Sequence, residues 1–235
     1  MRRGIVSLGL ILLITLAGSA PLAAQAGGGW SVQVEGRGGL FKATRDIGKI
    51  LGENNAQIRT TIQVAPTYSF GLILSGPSPN YSFRVSGSYM SADARGQAGA
   101  CAVLSGPGCV SLDVSTTATQ GTLDVLVHSD DGSSVLKYFL GGVGLRSYSF
   151  DRLDCRDANL DPNLQAVCSP MMEFLANQQG LVGRLGLGFM RGVGPVSMGL
   201  EIIDQVSLFE GAGERGEGGI QNDVMLSVGV SFPGR

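Results

Sequence analysis

Residues 221–232 run Gln-Asn-Asp-Val-Met-Leu-Ser-Val-Gly-Val-Ser-Phe, with Val224, Leu226, Val228, Val230 and Phe232 at every second place and Ser227, Gly229 and Ser231 between them. Strict alternation marks a strand with one apolar face and one polar face. The pattern recurs upstream. Ile58, Ile62, Val64, Tyr68, Phe70, Leu72 and Leu74 share one parity, against Arg59, Thr61, Gln63, Thr67 and Ser69 on the other. Tyr81, Phe83, Val85 and Tyr89 likewise oppose Ser82, Arg84, Ser86 and Ser88. Since a slip of one residue would exchange the faces, register is well specified.

Extending this reading gives eight strands: Ser31–Thr44, Ala56–Leu74, Asn80–Arg95, Val110–Val127, Ser134–Phe150, Gly180–Arg191, Val196–Phe209 and Gln221–Phe232. Thr44–Asn55, Gly96–Cys109, Asp151–Gln179 and Glu210–Ile220 are long connectors, whereas Ser75–Pro79, His128–Ser133 and Gly192–Pro195 are short. Long loops at one end and tight turns at the other fit an eight-stranded antiparallel up-and-down transmembrane β-barrel. Apparent changes of phase near Gln120-Gly121 and Gly141-Gly142 predict bulges or bends at glycine.

Met1-Arg2-Arg3, the apolar run Ile5 to Leu16 and the small residues that follow have the layout of a secretory signal peptide, read as residues 1–26. Residues 27–235 then form a single barrel domain. Removing Arg2 and Arg3 leaves 17 − 2 = 15 basic against 19 acidic residues, a net charge of −4 with no basic footprint for nucleic acid. No later apolar run reaches the ~18–20 residues of a membrane helix, so a membrane-spanning chain must close its sheet. Cys101, Cys109, Cys155 and Cys168 are an even set in an exported chain and read as two local disulfides on the long-loop rim.

Alternation does not say which face points inward, and a soluble lipocalin-like barrel has the same period. Gly28-Gly29-Trp30 even matches that family's short Gly-x-Trp pattern. The polar face favours the membrane reading. It is mostly Ser, Thr and Gly with a few charges of both signs, and only 15% of the chain is charged. Glu35, Arg37, Arg59, Arg84, Arg146, Arg184 and Glu201 are therefore expected inside the barrel, paired across strands, with Glu35 and Arg59 as a candidate pair. Trp30, Tyr68, Phe70, Tyr81, Tyr89, Tyr138, Tyr148, Phe150, Phe209 and Phe232 lie towards strand ends, as in aromatic girdles.

An exported chain closing on Val224, Leu226, Val228, Val230 and Phe232 resembles outer-membrane proteins, in which the final aromatic belongs to an assembly signal. Lys137-Tyr138-Phe139-Leu140-Gly141-Gly142-Val143-Gly144 and Gly183-Arg184-Leu185-Gly186-Leu187-Gly188-Phe189 are similar to the small eight-stranded barrels of the outer-membrane protein A and X type. Pro233-Gly234-Arg235 follow the aromatic, where many relatives stop. The resemblance implies a bacterial outer-membrane monomer that contacts outer-membrane lipids and lipopolysaccharide and meets the barrel-assembly machinery during biogenesis.

Catalytic and cofactor signals are weak. His128, the sole histidine, falls in the turn sequence His128-Ser129-Asp130-Asp131-Gly132, where Asp and Gly suit turn chemistry. Gly211-Ala212-Gly213-Glu214-Arg215-Gly216 matches a dinucleotide fingerprint in letters, but acidic neighbours and a following strand argue for a loop. Asp151, Asp154, Asp157 and Asp161 lack the calcium-loop pattern. Ser169-Pro170 predicts a short helix over Met171–Gln178 in the same loop. The expected protein is a non-enzymatic barrel without cofactor or metal, its pinned loops serving surface structure or recognition. A narrow channel for small or apolar solutes and a soluble lipocalin-like binder are the alternatives.

Overall fold

The computed structural model describes residues 29–51, 57–78, 80–99, 109–129, 134–156, 161–209 and 216–233. Its strands are β1 (Ser31–Ala43), β2 (Gly48–Leu51), β3 (Gln57–Ile62), β4 (Ala65–Ser75), β5 (Tyr81–Gly99), β6 (Cys109–Ser129), β7 (Val135–Phe150), β8 (Gln178–Val193), β9 (Val196–Phe209) and β10 (Gly216–Pro233). The helix α1 (Pro162–Phe174) lies between β7 and β8. All pairings are antiparallel, and β1 with β4–β10 forms an eight-stranded ring closed by β1 on β10. β2 and β3 carry the first two strands outward, between β10 and β5.

Closure fixes the slant of the strands. Paired residues lead from Lys42 through Val224, Asp204, Leu185, Gly141, Val125, Phe83 and Leu74 back to β1 at Val32, a stagger of 42 − 32 = 10 residues. Such a stagger requires strands tilted by about 35–45° and a lumen filled by its own side chains.

A belt of exposed apolar residues surrounds the barrel, including Val85, Leu123, Val143, Leu185, Leu200 and Val228. Glu35, Arg84, Asp124 and Glu201 are buried within. Hydrocarbon outside and polar groups inside define a transmembrane barrel, and this distribution is the reverse of a lipocalin's. Asp204, alone among its apolar neighbours on β9, also faces outward.

Towards the long-loop end the faces change character. On β6, Leu123, Val125 and Val127 point out while Thr122 and Asp124 point in; farther along, Asp113, Ser115 and Thr117 are outside or at the wall and Val114 and Ala118 are inside. On β5, Phe83 and Val85 give way outside to Ser91 and Asp93, and Ser82 and Arg84 give way inside to Met90, Ala94 and Ala98. Above the lipid the exterior is water, so the same parity now carries polar residues outward.

This inversion corrects the expected bulges at Gln120-Gly121 and Gly141-Gly142. The β6–β7 register runs unbroken from Thr116↔Phe150 to Ser129↔Lys137, through both sites. Glycine serves space instead: a Cβ at Gly142 would strike the Asp124 carboxylate, and one at Gly144 would strike Thr122.

A true break lies between β3 and β4. Inward residues are Ile58, Thr60 and Ile62 before Gln63-Val64, and Ala65, Thr67 and Ile73 after it. The interruption reverses parity, so Arg59 is exposed beyond the lipid belt rather than inside, and the expected Glu35–Arg59 pair does not form. The helix also differs from the expected Met171–Gln178. Asp161 caps its start by accepting a hydrogen bond from the Asn163 amide at 2.8 Å, and Pro162 occupies the first turn, where a missing N–H costs nothing. Pro170 stands inside the helix rather than at its start.

Candidate functional site: a charged plug beneath an apolar outer chamber

Arg84 is the hub of the lumen, 1% exposed. Its guanidinium donates to Glu201 at 2.7 and 3.1 Å, to Asp124 at 3.0 Å and to Glu35 at 3.3 Å. Arg37 donates to Glu35 at 2.7 Å and to the Tyr138 hydroxyl at 3.0 Å, and that hydroxyl donates to Glu201 at 2.7 Å. Arg184 reaches Asp124 at 3.1 Å. Side chains from β1, β5, β6, β7, β8 and β9 thus converge on one axis, because inward positions of a small barrel have nowhere else to go.

A second layer lies farther out. Arg146 pairs with Asp223 and donates to Gln205, to Gln120 at 2.8 Å and to Tyr148 at 2.9 Å. Gln221 donates to Asp223 at 2.7 Å. Across both layers the guanidinium groups of Arg37, Arg84, Arg146 and Arg184 face the carboxylates of Glu35, Asp124, Glu201 and Asp223, so the buried charge sums to zero. A neutral, cross-linked stack resists dismantling, since removing one member strands another without water.

Outside this plug the lumen turns apolar. Phe41, Ile47, Ile50, Ile58, Ile62, Met90, Ala94, Ala98, Val114 and Phe150 line it, and Val167, Met171, Met172, Phe174 and Leu175 fill it from α1 and the residue after it. Small wall residues leave room for the helix: a Cβ on Gly96 would collide with Met171. α1 therefore closes the outer mouth, and its apolar residues pack on the barrel.

The chamber wall has an unpaired seam. The β1–β4 ladder ends at Phe41↔Ala65, and β2–β3 pairing resumes at Gly48↔Thr60. Between these points Thr44 bonds to β10 through Asn222 and Gln63 bonds to β5 through Asp93. Buried Ile47 closes the outer edge of the seam, its N–H donating to the Thr60 carbonyl at 2.7 Å.

No family model and no curated protein sequence matches the chain. Solved structures do. The outer membrane protein OprG from Pseudomonas aeruginosa superposes with a TM-score of 0.50 at 13% identity, over 88% of this chain and 96% of that one. Neisserial surface protein A gives 0.48 at 14% identity, over 87% and 98%. The fold is that of the small eight-stranded outer-membrane β-barrels.

In this barrel Glu35, Arg37, Arg84, Arg146, Arg184 and Glu201 all lie on the inner face, with Arg59 the exception. Val224, Leu226, Val228, Val230 and Phe232 all face outward on β10. Cys155 and Cys168 are joined, bridging the loop after β7 to α1. Cys109 is disulfide-bonded at the start of β6, and Cys101 lies outside the described residues. Residues 211–215 and Asp157 also lie outside them.

Asp124, Asp223, Gln120, Gln205, Gln221 and Tyr138 complete the plug, and none of them was expected inside the barrel from the sequence. Asp124 could have been found, since it shares parity with Gln120 and Thr122. Tyr138 and Tyr148 instead had the look of girdle aromatics, and both are buried. His128 belongs to the end of β6 rather than a turn, with Nε2 2.8 Å from the Ser82 hydroxyl. Ser82, 3% exposed, in turn meets Ser75 at 2.8 Å, while His128 and Ser75 are half-buried.

Proposed function

We propose that this chain is an integral outer-membrane protein without enzymatic activity, a closed monomeric barrel that holds disulfide-pinned loops outward for surface structure or recognition. The neutral Arg–carboxylate plug is the observation that carries this reading. An ion crossing the lumen would have to displace buried, mutually bonded charges, while α1 fills the mouth above them. The framework instead suits display: β5 and β6 continue outward to Gly99 and Cys109, and Cys155–Cys168 fastens the capping segment. Purified protein in planar bilayers is expected to give no unitary conductance at any holding potential. Reproducible single-channel steps would reject the closed barrel.

The seam favours a second reading, a narrow route for apolar solutes. A molecule entering the apolar chamber would leave it sideways through the gap between the β1–β2 and β3–β4 connections without passing the plug. Proteoliposomes distinguish the two readings: uptake of an apolar fluorophore that is abolished by cross-linking α1 to the barrel supports passage, and uptake equal to empty liposomes supports display.

A further inference from the structure

Three buried polar atoms around the apolar chamber have no hydrogen-bond partner among the described residues: Nε2 of Gln120 and the hydroxyls of Ser207 and Thr60. Their residues are 9%, 5% and 0% exposed, and each stands on the inner face of its strand. Gln120 pairs with Arg146 and Ser207 with Gln221, so both border the second plug layer at the chamber floor, on β6 and β9. Thr60 lies farther out on β3, between Ile58 and Ile62. Burial strips such atoms of water, and native interiors normally return the lost hydrogen bond.

Nothing around them does so. Oε1 of Gln120 accepts from Arg146 at 2.8 Å, which fixes the amide and turns Nε2 away from the guanidinium. The polar groups of that layer are bonded to one another, Arg146 with Asp223 and Gln205, and Gln221 with Asp223. From above, α1 contributes Val167, Met171, Met172 and Phe174, which carry only hydrocarbon and thioether sulfur. α1 therefore fills the chamber without supplying the acceptors that its wall lacks, as an occupant that another molecule can replace. The two hydroxyls can rotate, whereas the amide is held at Oε1, so Gln120 is the group that specifies the replacement.

The charges decide what that molecule is. Arg37, Arg84, Arg146 and Arg184 are matched by four carboxylates, and Arg59 points away from the lumen, so no cation among the described residues is left to face the chamber. An ionised carboxylate drawn inside would be buried without a counter-ion. An alkane would leave Nε2 unpaired, and a hydroxyl would bring a donor of its own to a floor whose carboxylates are already engaged. A carbonyl oxygen brings an acceptor and nothing that needs one. We infer that the chamber binds an uncharged long-chain carbonyl compound, a ketone or an ester. Its oxygen accepts from Gln120 Nε2, and its chain runs outward among Phe41, Met90, Ala118 and Phe150. This deepens the second reading above, in which apolar molecules reach the chamber, and rests on it.

Equilibrium dialysis of the full-length barrel in phosphatidylcholine nanodiscs, blanked against protein-free nanodiscs, tests this with three radiolabelled probes of matched chain: 2-tridecanone, tridecane and ionised tridecanoate. The ketone is expected at a single saturable site, about tenfold tighter than tridecane, the worth of one net hydrogen bond, with tridecanoate the weakest. Gln120→Glu keeps the acceptor for Arg146 and removes the N–H donors, so it should bring the ketone down to the level of tridecane. The uncharged Gln120→Met should do the same. Thr60→Val, remote from the floor, should leave the preference intact. The probe series needs only the unaltered barrel, so the proposal stays open to failure even where a Gln120 variant does not fold. Equal binding of ketone and alkane, a preference for tridecanoate, or a ketone preference that survives both Gln120 variants overturns the proposal and leaves the chamber reading in place. No saturable binding of any probe overturns the chamber reading, and the proposal with it.

Discussion

Replacing Arg84 with Ala is expected to lower barrel stability by about 3–5 kcal/mol, the cost of breaking a buried ion pair from one side only. The reason is the number of carboxylates that depend on it. Glu201, Asp124 and Glu35 all accept from this guanidinium, at 2.7 to 3.3 Å, and Glu201 and Asp124 are 1% and 0% exposed. Once it is gone, Arg37 and Arg184 must serve three acids with two cations. Denaturant titration in liposomes, read by the mobility difference between folded and boiled barrel on gels, measures the loss. A control separates charge from packing: Arg84→Met combined with Glu201→Gln removes a cation and an anion together and should recover much of the stability. A shift below about 1 kcal/mol for Arg84→Ala would mean that water reaches the plug and the lumen is not dry.

Gly188→Val is expected to be nearly as damaging through a different physical cause. A Cβ at Gly188 would occupy the space of the Tyr138 ring, which is 2% exposed and joins Arg37 to Glu201 through its hydroxyl. Overpacking alone costs about 1–3 kcal/mol, and losing hydrogen bonds to charged groups adds roughly another 1.5–3. Tyr138→Phe, which removes only the hydroxyl, should retain the packing and cost less than Gly188→Val. If Tyr138→Phe partly relieves the defect of Gly188→Val, the clash acts through the network. The same denaturation assay, supplemented by near-ultraviolet circular dichroism for the buried tyrosines, reads both.

The membrane-embedded part of the barrel was legible because lipid imposes one rule on every strand. Val224 to Phe232 on β10, Phe83 and Val85 on β5, and Phe70 and Leu72 on β4 all obey it. The outer third was harder to read, since the rule reverses where water replaces hydrocarbon. Ile58 and Ile62 have the parity of lipid-facing Tyr68 in the sequence, yet the break at Gln63-Val64 turns them inward and sends Arg59 out. The plug was half legible. Arg84 and Glu201 stand out as charges in apolar strands, but pairing depends on which strands meet across the lumen, and Glu35 meets Arg84 from a strand that is not its neighbour. The helix start was written in Asp161-Pro162, a cap followed by a first-turn proline, and Ser169-Pro170 carried the same signal in a weaker place.

Outside the break between β3 and β4, one strand parity faces lipid in the inner part of the barrel and water in the outer part, and the plug and the chamber both depend on it. Spin labels placed singly at outward positions of β6 test it most directly, with oxygen as the lipid-soluble relaxer and a nickel chelate as the aqueous one. Labels at Leu123, Val125 and Val127 should respond to oxygen, labels at Asp113 and Ser115 to nickel, and a label at Val114 to neither. Strong nickel response at Leu123 and Val125, or lipid contact at Val114, would contradict the account.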